Sequence, residues 1–218
     1  MADNERLQEI ALQLRHPNGS KGIQIANMMN ETNIQMTVHS IDRLNILDNE
    51  NVLELGHGNC GHLAHLFRQN KNLTYYGLEI SELMFEEAKR INQVFIDSQR
   101  AHFCLYDGLE IPFADNFFNK IFTVNTIYFW SDPVSFLSEL YRVLKPDGIL
   151  NITYLDKEYM QKLPFMQFGF TFYDHHEMER LINKTQFKVV DSEIQTENVK
   201  NKAGDLMERR FTTFILEK

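Results

Sequence analysis

A group of glycines directly after a short apolar segment is the first feature of this sequence that indicates chemistry. Residues 52–55 are apolar apart from Glu54, and Gly56, Gly58 and Gly61 follow them. Glycines let a backbone turn sharply and let a ligand approach with no Cβ in the way. This spacing after a strand is typical of turns that hold an adenosine-containing cofactor, and it fits more than one of them.

Two carboxylates help to choose between the cofactors. Glu79 has the spacing at which a dinucleotide-binding site holds a ribose hydroxyl. Glu54, however, precedes the first glycine by two residues, where it would repel a pyrophosphate and attract a cation. S-adenosylmethionine carries an ammonium and a sulfonium group and no phosphate. The pair therefore favours S-adenosylmethionine, and an NAD-dependent oxidoreductase is the weaker alternative.

Two further polar residues follow later predicted strands. Asp107 ends the third strand, where its carboxylate can accept a hydrogen bond from an adenine amine, and Asn125 ends the fourth. Ligands of parallel sheets bind at the carboxyl ends of the strands. We therefore expect one cofactor site across four strand ends, with Asn125 and Thr126 in the floor beneath the methionine part.

The elements that must position these residues alternate along the chain. Apolar runs followed by turn residues predict five strands separated by amphipathic helices. This alternation predicts an α/β fold with a doubly wound, mostly parallel sheet covered by helices on both faces. The predicted strands are Val52–Leu55, Leu73–Leu78, Phe103–Tyr106, Lys120–Val124 and Ile149–Tyr154.

The two ends of the chain have different patterns. Residues 1–47 are helical in pattern and form a predicted cap, with a second helix starting after Ser20 as N-cap. A turn of type I is expected at residues 145–148. Phe187–Val190 and Arg210–Leu216 are predicted to be a terminal antiparallel strand pair. We expect a single domain: the cap, a cofactor-binding core over 48–155, and a C-terminal part over 156–218.

Composition narrows the classes of partner. The formal net charge of −8 argues against a broad nucleic-acid surface, and two cysteines form neither a disulfide framework nor a zinc site by themselves. No apolar run reaches membrane-spanning length, and the first residues are acidic where a signal peptide is basic. We expect a cytoplasmic protein with a small-molecule partner and no metal.

Taken in order, these motifs strongly resemble class I S-adenosylmethionine-dependent methyltransferases of the small-molecule type, which includes quinone-biosynthesis C-methyltransferases. The resemblance is dense over residues 50–155 and loose over the terminal strands. One departure is Cys60, which stands where the family has its third glycine. The matching segments are Val52–Gly58, Tyr76–Ser81, Asp107–Phe113, Val124–Trp130 with Asp132–Pro133, and Val143–Gly148.

The resemblance implies a Rossmann-like seven-stranded sheet in the order 3-2-1-4-5-7-6, with the last strand antiparallel. It also implies residue roles. The methionine end would be surrounded by Glu54, Gly56, Gly58 and Gly61, with Asn59 or Cys60 as a further contact. Glu79 would hold both ribose hydroxyls. The ribose and adenine would lie against Ile80, Met84, Asp107, Gly108 and Leu109.

The expected reaction is methyl transfer to a small, apolar or aromatic acceptor. Candidate acceptor contacts are Tyr128 and Trp130 after the fourth strand, and Phe168 and Tyr173 in an aromatic segment that otherwise packs against the sheet. No general base is assigned, although His57 and Tyr128 have suitable side chains. A protein that binds S-adenosylmethionine or S-adenosylhomocysteine without chemistry is the main alternative.

Overall fold

The computed structural model describes residues 2–70, 72–200 and 206–218, which form one seven-stranded sheet in the order β3-β2-β1-β4-β5-β7-β6. Strands β1 to β5 pair in parallel, and β7 is antiparallel to both of its neighbours. The predicted order and the antiparallel last strand are confirmed. The strands are Asn51–Leu55 (β1), Thr74–Glu79 (β2), Ala101–Leu105 (β3), Phe118–Val124 (β4), Leu144–Leu155 (β5), Lys188–Lys200 (β6) and Leu206–Glu217 (β7).

Helices occupy most of the connections between the strands. Two helices precede the sheet, and each parallel crossover from β1 to β3 and from β4 to β5 contains at least one more. No helix in the described ranges is both long enough and apolar enough to cross a membrane. The helices are Ala2–Arg15 (α1), Gly19–Asp42 (α2), Leu63–Gln69 (α3), Glu82–Ile91 (α4), Gln93–Asp97 (α5), Pro133–Val143 (α6), Lys157–Met160 (α7) and His175–Ile182 (α8).

The sheet is covered on both faces, as strand β1 shows. Successive side chains of a strand point to opposite faces. Val52 belongs to a buried cluster with Leu66 of α3, whereas Leu53 and Leu55 belong to a second cluster with Leu137 of α6. The doubly wound arrangement is therefore confirmed, and its two apolar layers hold β1 rigidly in the middle.

The parallel register brings the carboxyl ends of the central strands to one edge of the sheet. Leu55 is the partner of Leu78 in β2 and of Thr123 in β4. The residues that follow β1, β2 and β4 therefore emerge side by side, and this edge is where the predicted cofactor residues meet.

Two local predictions about turns and caps are wrong. The second helix begins at Gly19 rather than after Ser20, because the Gly22 N–H already donates to the Asn18 carbonyl at 3.0 Å. Residues 145–148 do not form a type I turn, since Asp147 has a φ of +62° and that turn requires negative φ at both central residues. This segment instead leads directly into the continuous part of β5.

The terminal strand pair is much longer than predicted. β6 runs to Lys200 and β7 starts at Leu206, so the hairpin extends well beyond the apolar segments. Backbone pairing satisfies polar strands as well as apolar ones, so the apolar pattern shows only the part that lies against the core. The extension carries a buried ion pair between Glu197 and Arg209, which face each other in the register.

Candidate functional site

A cavity of about 250 Å³ lies at the carboxyl ends of β1, β2, β3 and β4, beneath the N-terminal helices. Its floor is formed by the strand ends and its cover by α1, α2 and the turn between them. Twelve of the predicted site residues line it: Glu54, Gly56, Gly58, Asn59, Glu79, Ile80, Met84, Asp107, Gly108, Leu109, Asn125 and Trp130.

The glycine turn after β1 has the conformation that its residue types suggest. Gly56 has a φ of +68° and its missing Cβ leaves room for Thr126, whose Cγ2 would be only 2.5 Å from a Cβ there. Gly58 also has a positive φ, of +56°, and faces open space. Cys60, which replaces the family's third glycine, has a φ of +51°. The chain thus keeps the left-handed turn at this position and accepts the strain of a side chain there.

Glu54 lies at the base of the cavity and is almost fully buried. Its Oε2 atom accepts a hydrogen bond from His62 Nε2 at 2.8 Å and another from the Tyr75 hydroxyl at 2.6 Å. The Cys60 thiol donates to the Tyr75 hydroxyl oxygen at 3.2 Å. Both bonds to the carboxylate fall on Oε2, so Oε1 is the oxygen available to a ligand.

The charge of this cluster follows from its burial. Burial opposes a charge on His62, but the Glu54 carboxylate and the Cys60 side chain together outweigh it and raise the pKa of His62 well above its usual value. Burial also raises the pKa of Tyr75 and that of Cys60, which keeps both neutral. Ligand-type atoms of Glu54, Cys60 and His62 lie within 4.8 Å of one another, as a metal site would require. The Glu54–His62 contact is a direct hydrogen bond, and we interpret the group as a hydrogen-bonded ion pair.

Glu79 holds together the two loops that flank the cavity. Its Oε2 accepts from the Gly58 N–H at 3.0 Å, and its Oε1 accepts from the N–H groups of Ile80 and Ser81 at 2.8 and 3.0 Å. A carboxylate has about four acceptor positions, so this arrangement leaves about one for a ligand. Contact with both ribose hydroxyls therefore requires Glu79 to give up one of its backbone partners.

Ser81 connects this loop to the helical cover. Its hydroxyl caps α4 by accepting from the Met84 N–H at 3.3 Å, as predicted for this helix start, and donates to the Pro17 carbonyl at 2.6 Å. His16 Nε2 lies 3.2 Å from the Ile80 carbonyl. The turn between α1 and α2 is thus fastened over the end of β2.

Asp107 is exposed at the rim of the cavity. Its Oδ1 accepts from the N–H groups of Leu109 and Glu110 at 2.8 and 3.0 Å, and these bonds lower the pKa of the carboxyl. Gly108 packs close to Ile80, where an added Cβ would be 3.2 Å from Cγ2. Leu109 is largely exposed. These residues form an open rim with one free carboxylate oxygen, Oδ2.

Asn125 forms part of the floor and is held by residues beneath it. It adopts a φ of +59°, and its Oδ1 accepts from the Tyr128 hydroxyl at 2.8 Å and the Leu155 N–H at 3.2 Å. Tyr128 is buried below this floor, and burial raises its pKa. The prediction that Tyr128 faces the acceptor is not met, because its hydroxyl is turned to Asn125 and Leu155.

Three other predicted residues are also absent from the cavity lining. Gly61 is exposed and faces Asn30 of α2. Tyr173 is buried in the same core cluster as Tyr128, and Phe168 directly follows a turn, Pro164–Gln167, that packs against α1. The aromatic segment thus follows the alternative expectation of packing, because its rings cluster among themselves, with Phe170 and Phe172 stacked at 6.2 Å.

Several lining residues were not predicted individually. The cap over 1–47 was expected, but its amphipathic pattern does not distinguish side chains above a cavity from side chains in a core. His62 was considered only as a metal ligand with His65, and nothing local links it to Glu54. The unpredicted residues are Leu14, Arg15, Pro17, Ala26, Met29, Asn30, Asn33, Thr37, His62, Tyr106, Val124, Phe129 and Ser131.

His57 lies inside the protein and not toward solvent. Its Nδ1 donates to the Gly58 carbonyl at 2.7 Å, and its ring packs edge-on against Phe103 at 5.0 Å. Burial lowers the pKa of His57. An added Cβ at Gly77 would be 2.6 Å from the His57 ring, so Gly77 provides the space it occupies. His57 is a neutral support of the glycine turn.

Comparison with known proteins identifies the family to which this arrangement belongs. Residues 46–208 match the family model described as a methyltransferase domain. The chain belongs to this methyltransferase family. The quinone-biosynthesis group is not singled out by the match. The cofactor that the family and fold imply is S-adenosylmethionine, in agreement with the expectation from Glu54 and the glycine turn.

Individual relatives of this methyltransferase chain are distant. The uncharacterized methyltransferase YdaC of Bacillus subtilis is 28% identical over 120 residues, which cover 55% of this chain and 64% of YdaC. Cycloartenol-C-24-methyltransferase 1 of Oryza sativa is 32% identical over 95 residues, 44% of this chain and 27% of that protein. The matched region thus spans less than two thirds of these relatives.

The fold has many solved counterparts. One is a SAM-dependent methyltransferase from Aquifex aeolicus, with a TM-score of 0.69 and 20% identity. The match covers 89% of this chain and 97% of that structure. At this identity the likeness establishes the fold of the methyltransferase chain and not its acceptor.

Proposed function

We propose that this protein transfers the methyl group of S-adenosylmethionine to a small, apolar or aromatic acceptor. The observation that carries the proposal is the set of three carboxylates, Glu54, Glu79 and Asp107, at three strand ends around one cavity. S-adenosylmethionine has cationic groups at one end, ribose hydroxyls in the middle and an adenine amine at the other. Each carboxylate has one oxygen position for one of these parts.

The three carboxylates suit the three parts of this cofactor. Glu54 Oε1 is the carboxylate oxygen left for the methionine end, where it suits a hydrogen bond from the ammonium group. The remaining acceptor position of Glu79 suits a ribose hydroxyl, and Asp107 Oδ2 suits the exocyclic amine of adenine. Ile80 and Met84 provide apolar surface between them. We therefore assign the predicted cofactor contacts, except Gly61, to this cavity.

The same geometry disfavours a dinucleotide. A pyrophosphate on a glycine turn needs free backbone N–H groups and no nearby anion. Here the Gly58 N–H is bonded to the Glu79 carboxylate at 3.0 Å, and Glu54 lines the same cavity. A phosphate would have to displace one carboxylate and approach the other, which supports S-adenosylmethionine over NAD.

Apolar and uncharged side chains in the cavity lining support an apolar acceptor. Met29, Phe129 and Trp130 belong to this lining together with Asn33 and Thr37. Arg15 of α1 is the one Lys or Arg side chain among the lining residues. The name of one relative, a cycloartenol C-24-methyltransferase, agrees with an apolar acceptor. Trp130 is the one predicted acceptor contact that we retain.

The chain contributes alignment and a dry site more than acid–base chemistry. When bound, S-adenosylmethionine supplies an activated methyl group for in-line displacement. The helices α1 and α2 cover the cavity and limit its contact with water, and Asn125, fixed by Tyr128, holds the floor at a set position. The Tyr128 hydroxyl donates to Asn125, and burial raises its pKa. His57 keeps Nε2 unprotonated, but burial lowers the pKa of His57 and makes it a weak base. We assign neither residue as a base. An acceptor that must be deprotonated therefore has to be acidic enough to lose its proton without one.

A thermal-shift titration with S-adenosylmethionine, S-adenosylhomocysteine and NAD in parallel tests the proposal. A ligand that binds only the folded state adds about 2.7 kcal/mol of stability at 100 times its Kd. We expect stabilisation by the first two and none by NAD. Stabilisation by NAD alone would overturn the assignment of Glu54. Transfer of radiolabelled methyl to a panel of apolar acceptors then separates an enzyme from a protein that only binds the cofactor.

A further inference from the structure

The buried pair of Glu54 and His62 has a consequence for how the cavity treats charge. Both side chains are about 5% exposed, both line the cavity, and they are joined at 2.8 Å. Glu54 by itself would be an anion aimed at the cationic end of the cofactor. With a protonated His62 beside it, the pair presents no net charge.

The groups around His62 support this assignment of zero net charge to the pair. The titratable groups around it are Glu54 on β1, Cys60 and His57 on the glycine turn, and Tyr75 on β2, which bonds to both Glu54 and Cys60. Burial keeps Tyr75, Cys60 and His57 in their neutral forms. Glu54 and His62 are therefore the two charges of the cluster, and they cancel.

We propose that His62 is a specificity-determining residue that sets how strongly the cavity prefers S-adenosylmethionine over S-adenosylhomocysteine. The two ligands differ by the sulfonium charge, which the transfer removes. A lone Glu54 anion would favour the charged substrate over the neutral product, whereas the Glu54–His62 pair reduces that preference. Because the cavity then does not bind the charged sulfonium strongly, the loss of that charge during methyl transfer is not opposed by the site.

The proposal rests on S-adenosylmethionine being the cofactor, and it explains a feature that cofactor binding alone does not. A carboxylate that only needed a polar environment would be satisfied by the Tyr75 hydroxyl at 2.6 Å. Burying a histidine beside it carries a desolvation cost, which an uncharged partner would avoid. His62 thus changes the charge of the site and not only its hydrogen bonding.

The test compares Kd values for the two ligands by isothermal titration calorimetry at pH 7. His62→Gln keeps a donor for Glu54 but removes the positive charge. We expect the ratio of the S-adenosylhomocysteine Kd to the S-adenosylmethionine Kd to rise at least tenfold, the effect of one unit charge about 12 Å away or closer at an effective dielectric constant of about 20. His65→Gln is the matched control, because His65 lies three residues further on, contacts Asp42 and does not line the cavity.

A second variant tests the same charge assignment by removing the negative charge of the pair instead of the positive one. Glu54→Gln removes the negative charge, and His62 without its carboxylate loses its proton in this buried position, so the net charge stays at zero. We expect the Kd ratio to stay within about twofold of the wild-type ratio. A tenfold fall would show that Glu54 acts as an uncompensated anion and would overturn the proposal.

An unchanged ratio in a folded His62→Gln variant would also overturn it. If that variant does not fold, Glu54→Gln decides, together with the imidazole nitrogen NMR shifts of wild-type His62 at pH 7. The proposal requires both ring nitrogens to be protonated, and a neutral ring contradicts it. Failure of the wild-type protein to bind either ligand would instead be a failure of the proposed function.

Discussion

The Glu79 carboxylate accepts a hydrogen bond from the Gly58 N–H at 3.0 Å, across 21 positions of sequence. This bond ties the end of β2 to the glycine turn after β1, and the second carboxylate oxygen holds the amides of Ile80 and Ser81. Glu79 thus shapes the cavity before any ligand enters it. Its role as a predicted ribose contact and its role in the loop structure have to be separated by experiment.

Replacing Glu79 tests both roles. We expect Glu79→Ala to weaken S-adenosylmethionine binding more than tenfold by calorimetry. We also expect a loss of about 1–3 kcal/mol of unfolding free energy, since three N–H groups lose their acceptor. The control is Glu82→Ala, because Glu82 is exposed and is the first residue of α4, close to Glu79 in the chain. Binding close to that of wild type would refute the ribose assignment.

The contact between Gly56 and Thr126 makes a second prediction. Gly56→Ala combines a positive φ with a Cβ 2.5 Å from Thr126 Cγ2, whereas Gly19→Ala has the same sign of φ, +61°, and no atom within 4 Å. We expect Gly19→Ala to cost about 1–2 kcal/mol in urea unfolding, and Gly56→Ala to cost distinctly more and to reduce cofactor affinity. Equal losses in the two variants would mean that Thr126 moves aside freely.

The ion pair on the terminal hairpin fixes the cover of the cavity. Arg209 Nε donates to Glu197 at 2.6 Å, and its Nη2 donates to the Thr32 carbonyl and, at 3.4 Å, to Asn33 of α2. Because Asn33 lines the cavity, we expect Arg209→Ala to weaken cofactor binding as well as to cost about 3–5 kcal/mol of stability.

An exposed ion pair provides the comparison for Arg209. Arg90 pairs with Glu87 on α4, and this pair is far more accessible to water than the pair of Arg209 and Glu197. We expect Arg90→Ala to change the unfolding free energy by less than about 1 kcal/mol and to leave cofactor affinity unchanged. If Arg209→Ala behaves in the same way in denaturant unfolding and calorimetry, the hairpin does not hold α2.

The burial of His57 predicts a pH dependence of stability. Its pKa is lowered in the folded state from the ordinary 6.5. The unfolded state therefore takes up the proton first as the pH falls, and the contribution of neutral His57 is complete above pH 6.5 and is lost below it. We expect stability to fall from pH 7 to 5.5 by up to about 1.4 kcal/mol per pH unit from this group.

Unfolding curves at both pH values check this dependence. His57→Gln should show a smaller decrease between pH 7 and 5.5 than wild type, because the buried imidazole with the lowered pKa has been removed. His176→Gln, which changes an exposed histidine, should keep the wild-type decrease. The same decrease in all three proteins would assign the acid sensitivity to other groups.

Much of the fold was accessible from the sequence because its signals are local. The strand–helix alternation follows from apolar runs and turn residues, and the family motifs supply the strand order. Twelve of sixteen predicted contacts line the cavity, since residues directly after parallel strands must emerge at one edge. Glu54, Glu79, Asp107 and Asn125 were placed by this rule alone.

The failures concern packing between distant segments. Aromatic residues at Tyr128, Phe168 and Tyr173 predict burial, but composition does not say whether a ring is buried in the core or against a ligand. The length of the terminal hairpin was also missed, because backbone pairing supports polar strands that have no apolar signature. In each case the missing information is which surfaces meet.

The chemistry of the cavity was likewise accessible from the sequence only in part. The sequence by itself indicated a carboxylate, Glu54, beneath a glycine turn and a cationic cofactor above it. Only the tertiary structure brought His62 from α3 and Tyr75 from β2 onto the same carboxylate oxygen. A charge's partners depend on distances of a few ångströms between elements, and local patterns carry no such distances. The residue that sets the charge of the site was therefore visible only once the chain was folded.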